Sequence, residues 1–161
     1  MGFGTVAAEE ISMSGTEIGK GEEIRLGGIA VRFLLEGKDS GGSVAMFEFD
    51  VAAGAKVPAA HSHDAYDETC YMLKGRLSFT VGGEAVERGP GEVLYIPRGV
   101  VHRFDNFSGE DATALAVITP GVLGPEYFRD IVEVMKAAAG GPPDVKAIGA
   151  VMLRHGLTPA V

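Results

Sequence analysis

The chain has 161 residues, which suits one domain with a substantial core, and its hydrophobic content of 46% excludes a disordered chain. The net charge of −8 and the absence of any lysine or arginine cluster argue against a nucleic-acid partner. The single cysteine, Cys70, cannot form an internal disulfide, and no targeting or membrane-spanning segment is visible. These features predict a cytoplasmic protein without a membrane partner.

Residues 1–20 are rich in glycine and have weak periodicity, apart from a short strand predicted at 9–13. Two interpretations compete for this first segment. It is either a frayed tail or an N-terminal arm that adds a strand to a partner subunit. We favour the arm slightly.

Residues 21–120 read as a succession of short strands separated by glycine and proline turns. In the third of them, Ala45, Phe47, Phe49 and Val51 alternate with polar residues and share one face. The last strand is apolar without alternation, which predicts cover on both of its faces. Many short strands of this kind indicate an all-β sandwich or barrel. The predicted strands are Glu23–Leu26, Ile29–Leu35, Val44–Val51, Lys56–His61, Glu68–Leu73, Gly75–Val81, Glu84–Glu87, Val93–Ile96, Val101–Phe107 and Ala112–Thr119.

The pattern changes in the last segment, residues 121–161, where two helices are predicted. Pro125 suits the first position of one helix, which Gly140-Gly141 ends. Asp144 or the prolines before it begin the second, which stops at Gly156. We expect both helices to pack on the outside of the strands or at a subunit contact. His155, in the last turn, is interpreted as structural.

Three of the four histidines lie between residues 54 and 106. His61 and His63 project to the same face of a strand because side chains alternate. Glu68 begins the next apolar run, and His102 follows the turn signal Pro97-Arg98-Gly99. Each part is weak alone, since a His-x-His pair is more often a surface coincidence. Together, three imidazoles and one carboxylate predict a transition-metal site.

Both halves of this region resemble the two-part signature of the cupins. Gly54, His61-Ser62-His63, Glu68 and Gly75 follow the first cupin motif, with six residues between Gly54 and His61, one more than is usual. The second motif is matched without a gap by Gly91, Pro97, Gly99, His102 and Asn106. The resemblance implies a double-stranded β-helix, or jelly-roll, barrel over residues 21–120 with two C-terminal helices. It also implies a metal site in the barrel mouth, held by His61, His63, Glu68 and His102.

Imidazole and carboxylate ligands suit one divalent transition metal without choosing it. By analogy with other cupins we favour iron, manganese or nickel, and zinc, cobalt or copper would also fit. Glu68 is the candidate catalytic residue, since it is the one acidic ligand. The candidate pocket-lining residues are Phe47, Phe49, Cys70, Met72, Tyr95 and Phe104.

Three classes of function remain open, because the cupin barrel hosts them all. The leading hypothesis is a quercetinase-like oxygenase, a metal-dependent oxidoreductase acting on an enolic or aromatic small molecule. The alternatives are a non-oxidative isomerase or lyase, and a binding module without turnover. The apolar arm, last strand and helices also predict a homodimer.

Overall fold

The computed structural model describes residues 21–55 and 59–160, which form eleven strands, a 3₁₀ turn at Gly37–Ser40 and two α-helices. The predicted N-terminal arm, including its strand at 9–13, lies outside the described residues.

The strands form two antiparallel sheets that enclose the core, so the predicted all-β jelly roll is confirmed. One sheet has six strands in the spatial order β1-β2-β3-β10-β5-β8, and the other has five in the order β11-β4-β9-β6-β7. The bounds are β1 Glu23–Leu26, β2 Ile29–Leu35, β3 Ala45–Val51, β4 His61–His63, β5 Asp67–Lys74, β6 Leu77–Val81, β7 Glu84–Arg88, β8 Val93–Ile96, β9 His102–Asp105, β10 Ala112–Thr119 and β11 Leu157–Pro159.

The strand around the first histidine lies later than its predicted position at Lys56–His61. Residues 59 and 60 are not in a strand, β4 covers His61–His63, and residues 56–58 lie outside the described residues. The reason is that β4 pairs with its neighbours only at these three residues. Both histidines of the pair therefore lie within one short strand.

The core lies on the facing inner sides of the two sheets. The alternation predicted for β3 holds, since Ala45, Phe47, Phe49 and Val51 are all buried. In β10 the inward residues are also buried, but the outward residues Thr113, Leu115 and Val117 are half-buried rather than covered. The prediction that this strand is covered on both faces is therefore wrong for its outer face.

Gly75, the last residue of the first motif, shows why a glycine is needed there. Its φ of 66° lies in the left-handed region that side chains disfavour. A Cβ at this position would also collide with the carbonyl oxygen of Asp111. The chain can therefore turn out of β5 and pass close to the start of β10 only with glycine at this position.

Two helices follow the strands, α1 at Pro125–Ala137 and α2 at Val145–Arg154. The Asp144 side chain caps α2 by accepting hydrogen bonds from the backbone N–H groups of Lys146 and Ala147, at 2.9 and 3.2 Å. None of the helices in these described stretches is long and apolar enough to cross a membrane.

Helix α1 does not merely lie on the outside of the sheets, as the sequence suggested. The ring of Phe128 meets the rings of Phe33 and Phe47 edge-on, at centroid distances of 5.9 and 5.4 Å. Phe33 and Phe47 are core residues of the six-stranded sheet. The helix therefore contributes directly to the core.

The chain then returns to the five-stranded sheet through β11, which no sequence signal predicted. Strand β11 pairs antiparallel with β4, with Leu157 opposite His63 and Pro159 opposite His61. The Thr158 hydroxyl donates to Asp64 Oδ1 at 2.7 Å, and the Ala160 N–H donates to the Ala60 carbonyl at 2.8 Å. The C-terminal segment thus covers the edge of the strand that carries two histidines.

The last residue of the second motif, Asn106, ties three segments together from a buried position. Its Nδ2 donates to the carbonyls of Val51 at 3.0 Å and Glu110 at 2.8 Å, and its Oδ1 accepts from the N–H and hydroxyl of Ser108. Asn106→Ala would remove the amide donor from the buried Val51 carbonyl and from the Glu110 carbonyl, and we expect it to lower the free energy of unfolding by about 2–3 kcal/mol. Urea denaturation measures this change.

Ser108→Ala is the matched control, because it removes the hydroxyl donor to Oδ1 and the exposed hydrogen bonds of that hydroxyl with the Glu110 backbone, but leaves the two carbonyl contacts of Asn106 in place. We expect a loss of about 1 kcal/mol or less for this variant. Equal losses in the two variants would contradict the proposed role of the Asn106 amide.

Candidate metal centre

The four candidate ligands converge from both sheets. His61 and His63 lie on β4, and His61 pairs directly with His102 on β9. One ligand atom from each of the three histidines lies within 4.8 Å of the other two. Glu68 reaches the cluster from β5 of the facing sheet, and its Oε2 lies 3.6 Å from Nε2 of both His63 and His102.

Backbone carbonyls orient two of the imidazoles. His61 Nδ1 lies 2.9 Å from the Ala59 carbonyl, and His102 Nδ1 lies 2.9 Å from the Val100 carbonyl. A carbonyl only accepts, so each Nδ1 carries the proton, and each Nε2 presents its lone pair. Ligating histidines are typically held in this way. His63 differs, because its buried Nδ1 has no partner among the described residues.

The two oxygens of the Glu68 carboxylate have different neighbours. Oε2 faces the imidazoles, while Oε1 accepts a hydrogen bond from the Cys70 thiol at 3.4 Å. Burial raises the pKa of that thiol well above its usual value. Cys70 therefore stays protonated and helps to hold the carboxylate with Oε2 toward the histidines.

The electrostatics favour an ionised Glu68 and neutral His61 and His63, as metal ligation requires, whereas the Glu68 carboxylate favours the protonated form of His102. Burial would raise the pKa of Glu68, but its interactions with His102 and His63 outweigh this and lower the pKa to about 2. Burial lowers the pKa of His61, and it lowers the pKa of His63 to about 4. Burial opposes protonation of His102 too, but Glu68 offsets it and raises the pKa of that residue.

The donor set fits a divalent transition metal. Ligands about 2.1 Å from one metal ion lie about 3 to 4 Å from one another. The distance from Glu68 Oε2 to Nε2 of His63 and His102 is 3.6 Å, and the three imidazole atoms lie within 4.8 Å of one another. Three imidazoles and a carboxylate are typical ligands of such ions, whereas Ca²⁺ and Mg²⁺ prefer oxygen. His61 is half-buried and the Glu68 side chain is 14% exposed, so the cluster keeps contact with the surface at these two residues.

Five of the six candidate pocket-lining residues point to the interior. Cys70 and Met72 are buried on the face of Glu68, while the rings of Phe49 and half-buried Phe104 lie 5.3 Å apart across the two sheets. Phe47 is also inside, but it packs against Phe33 and Phe128. An apolar wall therefore continues from the cluster into the core.

Tyr95, the sixth candidate, lies on the outer face of its sheet. It is 56% exposed, whereas the next residue, Ile96, is 1% exposed and pairs with Glu68. Because successive side chains of a strand point to opposite faces, Ile96 and not Tyr95 faces the interior. The assignment of Tyr95 to the pocket was wrong. Tyr71 and Val93 are also exposed on this outer face of the six-stranded sheet. Whether the protein forms the predicted homodimer is not tested by the structure of one chain, so the homodimer stays a prediction.

Two buried tyrosines near the cluster were missed. The Tyr66 ring stacks on His63, with centroids 4.4 Å apart and planes 22° apart. Burial, then the charge of Glu68, raises the pKa of Tyr127 on α1 to about 12. The position of Tyr66 between His63 and Glu68 was a signal in the motif itself. No sequence signal placed Tyr127 near the cluster, because its position depends on how helix α1 packs against the sheets.

The fourth histidine lies outside the cluster, as part of a contact between the helices. His155 Nε2 is 2.9 Å from Asp130 Oδ2, and its ring meets Tyr127 edge-on at 5.7 Å. A groove of about 660 Å³ between α1 and α2 is lined in part by Asp130, and it includes none of the four candidate ligands.

Comparison with known proteins agrees with this geometry. The cupin domain family model, Cupin_2, matches residues 47–118, a range that includes all four converging residues. The antiparallel jelly roll and the histidine cluster define a protein of the cupin type. Residues 47–118 of this chain therefore match a cupin domain, and the fold around them is that of a cupin.

Two proteins of similar sequence and one solved structure show the kinds of protein that this chain resembles. The chain is 24% identical over 115 residues to quercetin 2,3-dioxygenase of Bacillus subtilis. This aligned region covers 71% of this chain and 33% of that protein. It is 31% identical over 96 residues to a tetracenomycin polyketide synthase protein of Streptomyces glaucescens, covering 60% of this chain and 64% of that one. The chain thus spans between a third and two thirds of the length of these relatives.

The solved structure is a predicted oxalate decarboxylase from Thermotoga maritima. It superposes with a TM-score of 0.54 at 24% identity, covering 57% of this chain and 80% of that chain. At this identity the likeness bears on the fold alone.

Proposed function

We propose that this protein is a metal-dependent oxygenase of the dioxygenase type that acts on an enolic or aromatic small molecule. The observation that carries the proposal is the convergence of three imidazoles and one carboxylate from facing sheets. His61, His63 and His102 would bind the metal through Nε2, and Glu68 would bind it through Oε2. Iron, manganese or nickel are the favoured metals.

The protein residues have distinct tasks in this proposal. A bound divalent metal supplies a Lewis acid that stabilises the anion of a chelating enol or phenol. The Ala59 and Val100 carbonyls keep two imidazoles in the ligating orientation. Glu68 would accept the hydroxyl proton of a substrate that the metal has made more acidic, because its carboxylate is ionised at neutral pH and is partly exposed.

The substrate class follows from the wall around the cluster. Phe49 and Met72 are buried and Phe104 is half-buried, so the interior beyond the cluster is apolar and aromatic, and no lysine or arginine is among the candidate pocket residues. A planar, uncharged ring system fits such a wall better than a sugar phosphate does. The similarity to a quercetin 2,3-dioxygenase also supports an oxygenase over the other reaction classes.

The test is oxygen uptake by protein loaded separately with iron, manganese and nickel, measured on a panel of chelating enols and phenols. We expect uptake with at least one compound, in proportion to metal content. His155→Gln is the matched control, because it changes a histidine outside the cluster and should leave uptake unchanged. Fully loaded protein that consumes no oxygen with any compound would favour the alternatives, an isomerase or lyase, or a non-catalytic ligand-binding cupin.

A further inference from the structure

Two turns carry the chain from one sheet to the other beside the candidate metal centre. Residues 64–66 join β4 to β5, and residues 97–101 join β8 to β9. The first turn therefore links His63 to the strand of Glu68 in the facing sheet, and the second leads directly into His102. The relative position of these three candidate ligands depends on how the two turns are held together.

The second turn is held by polar contacts more than by burial. Of its five residues, four are exposed and Val100 is half-buried. The Val100 carbonyl lies 2.9 Å from His102 Nδ1, and the Gly99 N–H donates to the His63 carbonyl at 2.8 Å. A segment with few buried apolar contacts opens easily, so hydrogen bonds decide the position of this turn.

One carboxylate ties the start of this turn to the strand that carries Glu68. Asp67 Oδ1 accepts hydrogen bonds from the backbone N–H of Arg98 at 2.9 Å and from its Nε at 3.1 Å, and Asp67 Oδ2 accepts from its Nη2 at 2.9 Å. Asp67 is the residue directly before Glu68. The end of the turn is tied to another segment, since the Gly82 N–H donates to the Val101 carbonyl at 2.8 Å.

The pair of Asp67 and Arg98 is better suited to fix a position than to stabilise the fold. The Asp67 side chain is 20% exposed and that of Arg98 is 49% exposed, and exposed ion pairs add little to the free energy of unfolding. The geometry of the pair is nevertheless specific. The guanidinium contacts both carboxylate oxygens, and the backbone N–H of the same residue adds a third bond.

We propose that Asp67 and Arg98 are positioning residues, whose ion pair holds the turn before His102 against the strand of Glu68 and thereby keeps the ligands of the two sheets together. This inference rests on the metal site of the proposed function, and it adds two residues that support the site without being ligands. Partners that orient metal ligands contribute about 10- to 100-fold to metal affinity. We expect about tenfold, because this pair acts through the backbone and not on a ligand atom.

Arg98→Met separates positioning from simple electrostatics by the sign of its effect. Methionine keeps much of the side-chain stem and removes the guanidinium with its positive charge. By Coulomb's law alone, removal of a positive charge near a cation site would strengthen metal binding or leave it unchanged. If Arg98 positions the ligands, zinc should instead bind about tenfold more weakly, measured by competition with a chromogenic chelator. Asp67→Ala removes the acceptor of all three hydrogen bonds, and we expect a loss at least as large.

The two residues should act as one unit. The double variant of Asp67→Ala and Arg98→Met should therefore bind zinc about as weakly as Asp67→Ala alone, and not with the product of the two losses. Arg76→Met is the matched control, because it breaks an exposed ion pair of 3.0 Å with Glu87 on the edge strand β7. Its zinc affinity should equal that of the parent.

Two further measurements separate a positioning role from a general loss of stability. The unfolding temperature of the metal-free protein should change no more in Arg98→Met than in Arg76→Met, because both substitutions break an exposed pair. The visible absorption spectrum of the cobalt-loaded protein reports on the coordination geometry. It should differ from the spectrum of the parent in Arg98→Met and in Asp67→Ala, and it should be unchanged in Arg76→Met.

Three results would overturn the inference. The first is a zinc affinity of Arg98→Met equal to or higher than that of the parent. The second is a weaker affinity that accompanies a lower unfolding temperature of the metal-free variant and an unchanged cobalt spectrum, which would show a structural role alone. The third is a parent that binds neither metal, and this result would overturn the proposed metal site as well. None of these results involves oxygen consumption, so a failure of the oxygenase proposal is measured separately.

Discussion

His102→Ala is expected to abolish metal binding and oxygen uptake together, whereas Glu68→Gln should keep part of the metal and lose most of the turnover. His102 is 5% exposed and lies at the centre of the cluster, opposite His61 in the sheet and 3.6 Å from Glu68. Substitutions of residues that only support a ligand cost about 10- to 100-fold in metal affinity, so loss of a ligand should cost at least about 100-fold.

Glu68→Gln tests a different property, because glutamine keeps the shape of the side chain and removes its charge. The amide can still present an oxygen to the metal, but it cannot take a proton from the substrate. General acid–base catalysis contributes about 10²- to 10⁴-fold, and we expect a loss of turnover in this range at equal metal content. Oxygen-electrode rates and elemental analysis on the purified parent and variants measure both quantities.

The pattern across the variants separates the remaining hypotheses. A non-catalytic binding module would show ligand affinity that follows metal occupancy in every variant, and no oxygen consumption in any of them. If the histidines only pack, both substitutions would change stability and leave metal content unaltered. His155→Gln controls for the general effect of losing a histidine.

Removal of the metal is expected to lower the unfolding temperature substantially. We expect about one transition metal per chain after gentle purification, since the four ligands form one cluster. A metal at about 1,000 times its dissociation constant adds about 4 kcal/mol to the free energy of unfolding. For a chain of this size, that corresponds to about 8–16 °C.

Scanning calorimetry before and after treatment with a chelator measures this shift. His102→Ala is the matched control, because a protein that binds no metal should show no shift on chelation. A parent chain that stays metal-free, and whose unfolding temperature does not respond to iron, manganese, nickel or zinc, would contradict the metal site itself.

Local spacing was enough to predict much of this protein. The separation of His61, His63 and Glu68, and that of Gly99 and His102, indicated both the jelly roll and the candidate metal residues. Most strand positions followed from turns and alternation, because these depend on neighbours in the chain. The start of α2 also followed, since Asp144 caps the helix through its own local backbone.

The direction of some side chains did not follow from the sequence. Strand β8 reads Val-Leu-Tyr-Ile and is apolar on both faces, so its pattern does not say which face is inside. Only the pairing of Ile96 with Glu68 places Tyr95 outside. In the same way, the uninterrupted apolar sequence of Ala112–Thr119 did not show that the outward side chains of this strand are only half-buried.

The sequence by itself thus indicated the cupin resemblance, the order of the strands along the chain and the candidate metal residues, because each depends on spacing within one short segment. The tertiary structure alone decided the approach of Glu68 to His63 and His102, the contact of Phe128 with the core and the pairing of β11 with β4. It also decided the stacking of Tyr66 on His63. These contacts join surfaces that are distant in the chain or set by a turn, and they form only when two sheets and two helices bury their apolar faces together.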